Sequence, residues 1–274
     1  MAGPKEDGLS ICDKYATQLF GDNNYDTQSL LATVFVNQAA AGNYTPISQT
    51  NGVGFPGFIN PGVFHGVQVN QLPYFNGQLN STNVSPDKGH GVAVNWLDGG
   101  GQPALHQNLS AFDVNSNQFF YFVHLYEYFA YMLDCSVYGN SVDRYNGSTD
   151  MYHVHKYMNI NKDMEGYTNL QFVLSAASLG FSKEAQGYIG RSLQLLFSFK
   201  CESPQPYPHW AEPASQSICQ AEDCPTFPHH PICLDEDRPI PQIVAAPGES
   251  KVRVYSCEDD IDDIDQRGDG CLVN

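Results

Sequence analysis

The sequence predicts a mainly α-helical protein in which a long irregular region interrupts the helices and a cysteine-rich tail follows them. Apolar residues recur with helical spacing in residues 8–42 and 116–200. Gly, Asn and Pro are frequent in residues 43–115, and Pro and Cys are frequent in residues 201–274. A chain of 274 residues, 42% of them hydrophobic, is long enough for one large domain. We therefore expect a helical domain over residues 8–200, with the insertion inside it and the tail wrapped around its core.

Two helices are predicted before the insertion. The first is a short amphipathic helix over residues 12–20. Asp26 is the expected cap of the second helix, which carries apolar residues as far as Gly42. Residues 43–115 then lose this periodicity, and short β-prone pieces alternate there with turn signals such as Asn76-Gly77. This pattern predicts an elaborate surface loop with a small hairpin.

The main helical region of the chain follows the insertion. An aromatic-rich segment over residues 117–135 predicts one long helix, and a short helix is expected at residues 150–158. A longer helix over residues 163–180 should end at Gly180, which suits a C-cap, and Ser182 is placed to cap the last helix. These helices would enclose most of the core.

Charge excludes two classes of partner. The formal net charge is −17 and the sequence pI is about 4.6, so the surface repels phosphate backbones and anionic lipid. No stretch approaches the roughly 20 apolar residues that span a bilayer. The sequence therefore predicts no nucleic-acid partner and no membrane span.

Cysteines and glycosylation sequons indicate an oxidising compartment. The cysteine count is even, which permits four disulfides but leaves their connectivity open: Cys12, Cys135, Cys201, Cys219, Cys224, Cys233, Cys257 and Cys271. Five Asn-X-Ser/Thr tripeptides would accept N-linked glycans, at Asn43, Asn80, Asn83, Asn108 and Asn146. Residues 1–8 are polar and contain no apolar leader. We favour a secreted protein whose leader lies outside this sequence over an intracellular protein with free thiols.

One segment of the sequence resembles the truncated globins of group I type. Tyr145-Asn-Gly147 is followed by Met151 and, four residues later, by His155, as in the proximal region of those globins. Residues 117–135 are similar to their distal helix, and residues 12–42 match their first two helices. The resemblance implies a globin-like helical domain that includes the long insertion. We also predict a Cys12–Cys135 disulfide, because it would tie the first helix to the end of the distal helix.

The chain is also similar to a group of secreted fungal glycoproteins whose function is unassigned. That similarity is carried by Asn43-Tyr-Thr, by Val94-Asn-Trp-Leu-Asp-Gly-Gly-Gly, by the segment from Met151 to Met158, and by Ser217-Ile-Cys219. This similarity supports secretion more than it supports any particular ligand or reaction.

The globin resemblance implies non-covalently bound haem b. His155 would be the proximal iron ligand, and its second ring nitrogen would donate to a nearby carbonyl. Tyr121 and Leu125 would form the distal wall, and Tyr121 could donate to a bound diatomic ligand. His124 is the alternative sixth ligand, although its stripe with Glu127 and Asp134 favours solvent exposure. The remaining residues expected around the haem are Phe35, Val36, Met151 and Met158.

Two other functions are compatible with the sequence. The chain could be a cofactor-free structural or surface glycoprotein on a globin-like scaffold, which self-associates. It could instead be a secreted enzyme whose site lies in residues 43–115. The sequence contains no nucleophile elbow and no P-loop, so we assign no catalytic residues.

Overall fold

The computed structural model describes residues 4–43, 54–83 and 91–228. Within these ranges the protein is mainly α-helical, as predicted, with four short strands. The elements in chain order are α1 (Ile11–Phe20), α2 (Tyr25–Ala41), β1 (Gly62–Phe64), β2 (Val67–Val69), α3 (Leu72–Phe75), β3 (Thr82–Asn83), β4 (Gly91–Val92), α4 (Gly101–Leu105), α5 (Asn117–Met132), α6 (Met151–His155), α7 (Lys162–Ser178) and α8 (Lys183–Phe197). None of these helices is long and apolar enough to cross a membrane.

Helix boundaries follow capping residues. The Ser182 side chain accepts the Ala185 N–H and begins α8, and Gly180 adopts a φ of 79° just after α7, both as predicted. The expectation for Asp26 is wrong. Asn24 caps α2 instead, because its side chain and that of Thr27 bond reciprocally to each other's backbone N–H. Asp26 lies inside the first turn, where its negative charge suits the helix dipole.

Helix α2 is the centre of the fold and packs against α1, α5 and α7. Its buried residues lie around most of its circumference, as expected for a helix enclosed by others. Two side-chain hydrogen bonds fix its neighbours. Ser175 of α7 donates to the Phe35 carbonyl at 2.7 Å, and the Tyr126 hydroxyl of α5 donates to Asn37 at 2.6 Å. These buried bonds hold α5 and α7 in register on either side of α2.

A disulfide joins Cys12 to Cys135, as predicted, and links the start of α1 to the segment after α5. Both cysteines are fully buried, and the Cys12 N–H donates to the Leu133 carbonyl at 2.9 Å. A second disulfide joins Cys219 to Cys224, and Cys201 is also disulfide-bonded. The other three cysteines lie outside the described residues: Cys233, Cys257 and Cys271.

The insertion contains the predicted hairpin, in which β1 and β2 pair antiparallel across a His65-Gly66 turn. It also contains two short helices, α3 and α4, that the sequence did not predict. The expectation of a surface loop is only partly correct, because Ile59, Val94 and Trp96 belong to the hydrophobic core. The described part of the insertion therefore supplies core side chains as well as connections.

Two glycines allow the insertion to lie directly on the end of α2. Gly42 and Gly57 both adopt positive φ, at 87° and 81°. A Cβ at Gly57 would lie 2.3 Å from the Gly42 nitrogen and 2.4 Å from the Ala40 oxygen. Only glycine permits this backbone-to-backbone contact. The Phe58 N–H then donates to the Ala39 carbonyl at 2.9 Å, which satisfies the end of the helix.

The described part of the tail, residues 201–228, packs onto the helical core. The N–H groups of Ile218 and Cys219 donate to the Phe197 carbonyl at the end of α8. The N–H of Gln220 donates to the Ile160 carbonyl, which precedes α7. The Tyr207 ring lies 5.3 Å from the Tyr128 ring of α5. The tail thus contacts three separate helical regions.

Three of the five sequons are not on the surface. Asn43, Asn80 and Asn83 are buried, with 5–6% of their surface exposed, so the surface placement expected for them is wrong. Asn108 and Asn146 are exposed. A glycan needs an accessible side-chain nitrogen, so only the exposed pair can carry one in this fold.

We predict glycans at Asn108 and Asn146 when the chain is made in a glycosylating host. N108Q and N146Q should each lower the intact mass by one glycan, whereas N80Q should leave it unchanged. The measurement is the intact mass before and after enzymatic deglycosylation. A glycan at Asn80 in folded protein would contradict this assignment.

Candidate functional site

A cavity of about 190 Å³ lies between α5, α6 and α7, and the insertion, α8 and the tail contribute further walls. Its walls are mainly aromatic and aliphatic, with Trp96 from the insertion, Phe172 from α7 and Ile218 from the tail. The cavity exceeds the roughly 150 Å³ of an engineered apolar cavity that binds benzene. A concave, mostly apolar space with a few polar groups is typical of a small-molecule site.

Helix α6 brings His155 into the cavity wall. The helix begins at Asp150, whose side chain accepts the His153 N–H at 3.0 Å. His155 Nδ1 lies 2.8 Å from the Met151 carbonyl, one helical turn earlier. Because a carbonyl can only accept, Nδ1 carries the proton and Nε2 keeps its lone pair. Burial lowers the pKa of His155 to about 4, so the ring is neutral at pH 7.

Helix α5 supplies the facing residues. Tyr121, His124, Leu125 and Tyr128 line the cavity, and their spacings of three, four and seven place them on one helix face. The Tyr121 ring stacks on Trp96 with centroids 5.0 Å apart. The His124 side chain is partly buried in this wall, so the solvent exposure favoured by its sequence stripe is wrong. Burial lowers its pKa.

Six of the residues expected around a haem therefore line one cavity: Tyr121, His124, Leu125, Met151, His155 and Met158. The other two, Phe35 and Val36, do not line it. Both are fully buried in α2, and the Phe35 ring lies 5.7 Å from the rings of Phe129 and Phe172, which do line the cavity. Helix α2 thus lies one layer behind the wall, because α5 and α7 occupy the position next to the cavity.

Three polar atoms in the cavity wall have no hydrogen-bond partner among the described residues. They are Thr82 Oγ1, His124 Nδ1 and the Tyr128 hydroxyl, and all three are buried. Leaving such a group unbonded costs about 1–3 kcal/mol of stability. Native proteins keep few of them, so three around one cavity call for a bonding partner, either enclosed water or a ligand.

Glu165 is a cavity residue that the sequence did not reveal. Its carboxyl accepts hydrogen bonds from Asn169 and, at 2.5 Å, from the Ser198 hydroxyl. Burial raises its pKa to about 7. In the sequence, Glu165 is one of two acidic residues in the first turn of a helix, where acids are common at the surface. Nothing in that local pattern distinguishes a buried acid from a solvated one.

The chain matches no protein-family model, no curated protein and no solved structure. Across residues 4–43, 54–83 and 91–228, no group of three or more His, Cys, Asp or Glu side chains is arranged to hold a metal ion. The candidate site therefore rests on the cavity and its polar groups.

Proposed function

We propose that this protein binds haem b non-covalently in the cavity, with His155 as the iron ligand. The observation that carries the proposal is the state of the His155 ring. The ring is neutral, its Nδ1 proton is held by the Met151 carbonyl, and it lines an aromatic cavity. A proximal histidine needs these properties, because its second nitrogen must be fixed by a hydrogen bond while Nε2 binds iron.

The other residues that line the cavity bear on whether haem fits it. Aromatic side chains of α5 and α7 suit the faces of a porphyrin, and His124 offers a second nitrogen for a six-coordinate centre. Bound haem would supply a site for a diatomic ligand or a redox couple. The volume of about 190 Å³ is below the roughly 300 Å³ at the lower end of ligand sites. Haem entry therefore requires the walls to separate.

Hemin titration tests the proposal. Wild-type protein should develop a Soret band that saturates at about one hemin per chain. H155A should bind hemin at least tenfold more weakly, because removing the axial ligand removes the iron–nitrogen bond. Added imidazole should restore the wild-type spectrum in H155A, which a purely structural defect would not allow.

The matched control is His153, two residues away on the same helix. His153 Nδ1 pairs with Asp150 at 2.6 Å and does not line the cavity. H153A should therefore keep the wild-type spectrum. Equal hemin binding by wild type and H155A would reject His155 as the ligand.

We also propose a globin-like core and secretion for this protein. The resemblance to the truncated globins supports a globin-like core that includes α1, α2, α5 and α6, into which residues 43–115 are inserted. Two buried disulfides and two exposed sequons support passage through the secretory pathway. On this basis the protein is a secreted, disulfide-bonded glycoprotein.

A second candidate function is a cofactor-free surface glycoprotein that self-associates. One observation favours it, since Leu109, Phe112 and Val114 expose 44%, 55% and 58% of their surface within one loop. Neighbouring exposed apolar side chains often mark an interaction surface. A colourless protein that takes up no hemin and sediments as an oligomer, with F112S monomeric, would favour this function.

A further inference from the structure

The polar groups of α5 define a hydrogen-bonding pair in the cavity. His124 and Tyr128 lie one helical turn apart on the same face, and the Tyr145 ring contacts both, with centroid distances of 6.1 and 5.1 Å. His124 Nδ1 and the Tyr128 hydroxyl have no partner among the described residues. Tyr128 exposes only 3% of its surface, so bulk solvent does not compensate its hydroxyl. Both residues line the cavity, so a molecule inside it is the candidate partner for these two atoms.

The charge of the cavity wall selects against ionic ligands. No Lys or Arg side chain is among its described lining residues, so a carboxylate or phosphate would be buried without a cation. A ligand ammonium would need a carboxylate with a vacant oxygen. Among the described lining residues Glu165 is the only acid, and each of its oxygens already accepts a hydrogen bond. A neutral ligand is therefore favoured.

The pair requires a group that both donates and accepts. The Tyr128 hydroxyl keeps its proton because burial raises its pKa well above the ordinary value. His124 is neutral at pH 7, and Nδ1 is a donor in one tautomer and an acceptor in the other. The Asn146 side chain bonds the same ring and leaves Nδ1 unpartnered. A hydroxyl satisfies Tyr128 and either tautomer of His124, whereas a ketone or an ether can only accept.

The shape of the cavity favours a small aromatic body. Its volume of about 190 Å³ holds one ring with a substituent, by comparison with the roughly 150 Å³ that holds benzene. The rings of Phe129 and Phe172 stack at 4.1 Å in one wall, and Tyr121 and Trp96 stack in another. Flat aromatic surfaces prefer such neighbours.

We infer that the cavity binds a small neutral aromatic alcohol or phenol, whose hydroxyl is held by His124 and Tyr128. This site goes beyond haem binding, because it depends on the ligand-free cavity and on α5 rather than on His155 of α6. Such a ligand would supply the partner that both buried polar atoms lack. The test accordingly uses haem-free protein.

The experiment compares phenol with benzene by calorimetry, in wild type, Y128F and H124F. Both probes share the ring, and only phenol carries the hydroxyl. Y128F and H124F should each weaken phenol binding about tenfold, the effect of one lost hydrogen bond of typical strength, and should change benzene binding less than twofold. Y128F should also melt at a higher temperature than wild type without ligand, because it removes an unsatisfied buried hydroxyl. Y157F, at a buried tyrosine outside the cavity lining, is the control.

Two results would overturn the inference. Phenol binding that is unchanged in both variants would assign the two polar atoms to enclosed water. Failure of both probes to bind wild-type protein would show that the cavity does not accept such ligands. Neither result bears on the hemin titration, which depends on His155. A protein that binds phenol but no hemin would support this inference and reject haem as the ligand.

Discussion

Removal of the Cys12–Cys135 disulfide is expected to lower the free energy of unfolding by about 5 kcal/mol. The two cysteines are separated by 123 residues, so the bond removes a large loop from the unfolded ensemble. The chain-entropy relation gives about 5 kcal/mol for a loop of this length. Urea denaturation of the C12A/C135A variant measures the change. The loss is comparable to the whole stability of many domains, so partial unfolding at 37 °C is expected.

The Cys219–Cys224 disulfide provides the matched control. Its sequence separation is 5, for which the same relation gives only about 2 kcal/mol. The C219A/C224A variant removes this disulfide alone, so its urea denaturation is compared directly with that of C12A/C135A. Equal destabilisation by loss of either disulfide would show that loop length does not control the effect.

Replacement of Glu127 by Gln is expected to stabilise the protein by about 2–4 kcal/mol at pH 8, with little effect at pH 4.5. Glu127 exposes 8% of its surface, and Oε2 has no partner among the described residues. Burial, with a smaller contribution from the Asp143 charge, raises its pKa to about 8. One pKa unit corresponds to about 1.4 kcal/mol, so the full shift sets an upper limit near 5 kcal/mol.

The direction of this pH dependence follows from proton binding to Glu127. Between pH 4.5 and 8 the folded protein keeps a proton on Glu127 that the unfolded chain has lost, so stability decreases as pH rises through this window. Gln cannot ionise, so E127Q removes the contribution of Glu127 to this slope. Denaturation at pH 4.5, 6 and 8 measures it, with E212Q at an exposed position as the control. A wild-type pH dependence in E127Q would contradict the assignment.

Other buried titratable groups also make the stability of the protein depend on pH. Glu165 and Glu202 have pKa values raised to about 7 by burial, so they act in the same direction as Glu127. The lowered pKa of His155, about 4, acts oppositely and costs stability as pH falls below 6.5. Because these three carboxyl groups outweigh the one histidine, wild-type stability should fall as pH rises from about 5 to about 7.

The helices could be predicted from the sequence because their signals are local. Apolar spacing located α5, and side-chain chemistry located the caps at Gly180 and Ser182. Asn24 and Asp26 show the limit of such signals. Both residue types cap helices, and only the backbone conformation at Asn24 decides between them.

The insertion could not be predicted in the same way. Its core contributions, such as Ile59 and Trp96, are isolated apolar residues among turn residues, and no periodicity marks them. Their burial depends on the contact of Gly57 with the end of α2, which is a tertiary event. The burial of three sequons could not be predicted either, because a tripeptide does not specify whether its asparagine side chain faces solvent.

The globin resemblance predicted part of the cavity lining. His155, Met151 and Tyr121 line it, whereas Phe35 and Val36, expected from the same resemblance, do not. Glu165, Tyr128 and Thr82 were missed, because an unsatisfied hydroxyl or a buried acid becomes visible only with three-dimensional contacts.

The composition of the cavity wall has a consequence for folding. Trp96 comes from the insertion, His155 from the middle of the helical region and Ile218 from the tail, so positions more than a hundred residues apart must assemble before the cavity closes. A ligand that binds only the assembled cavity stabilises every one of these segments at once. Ligand uptake thus reports that the described segments lining the cavity have reached their final arrangement.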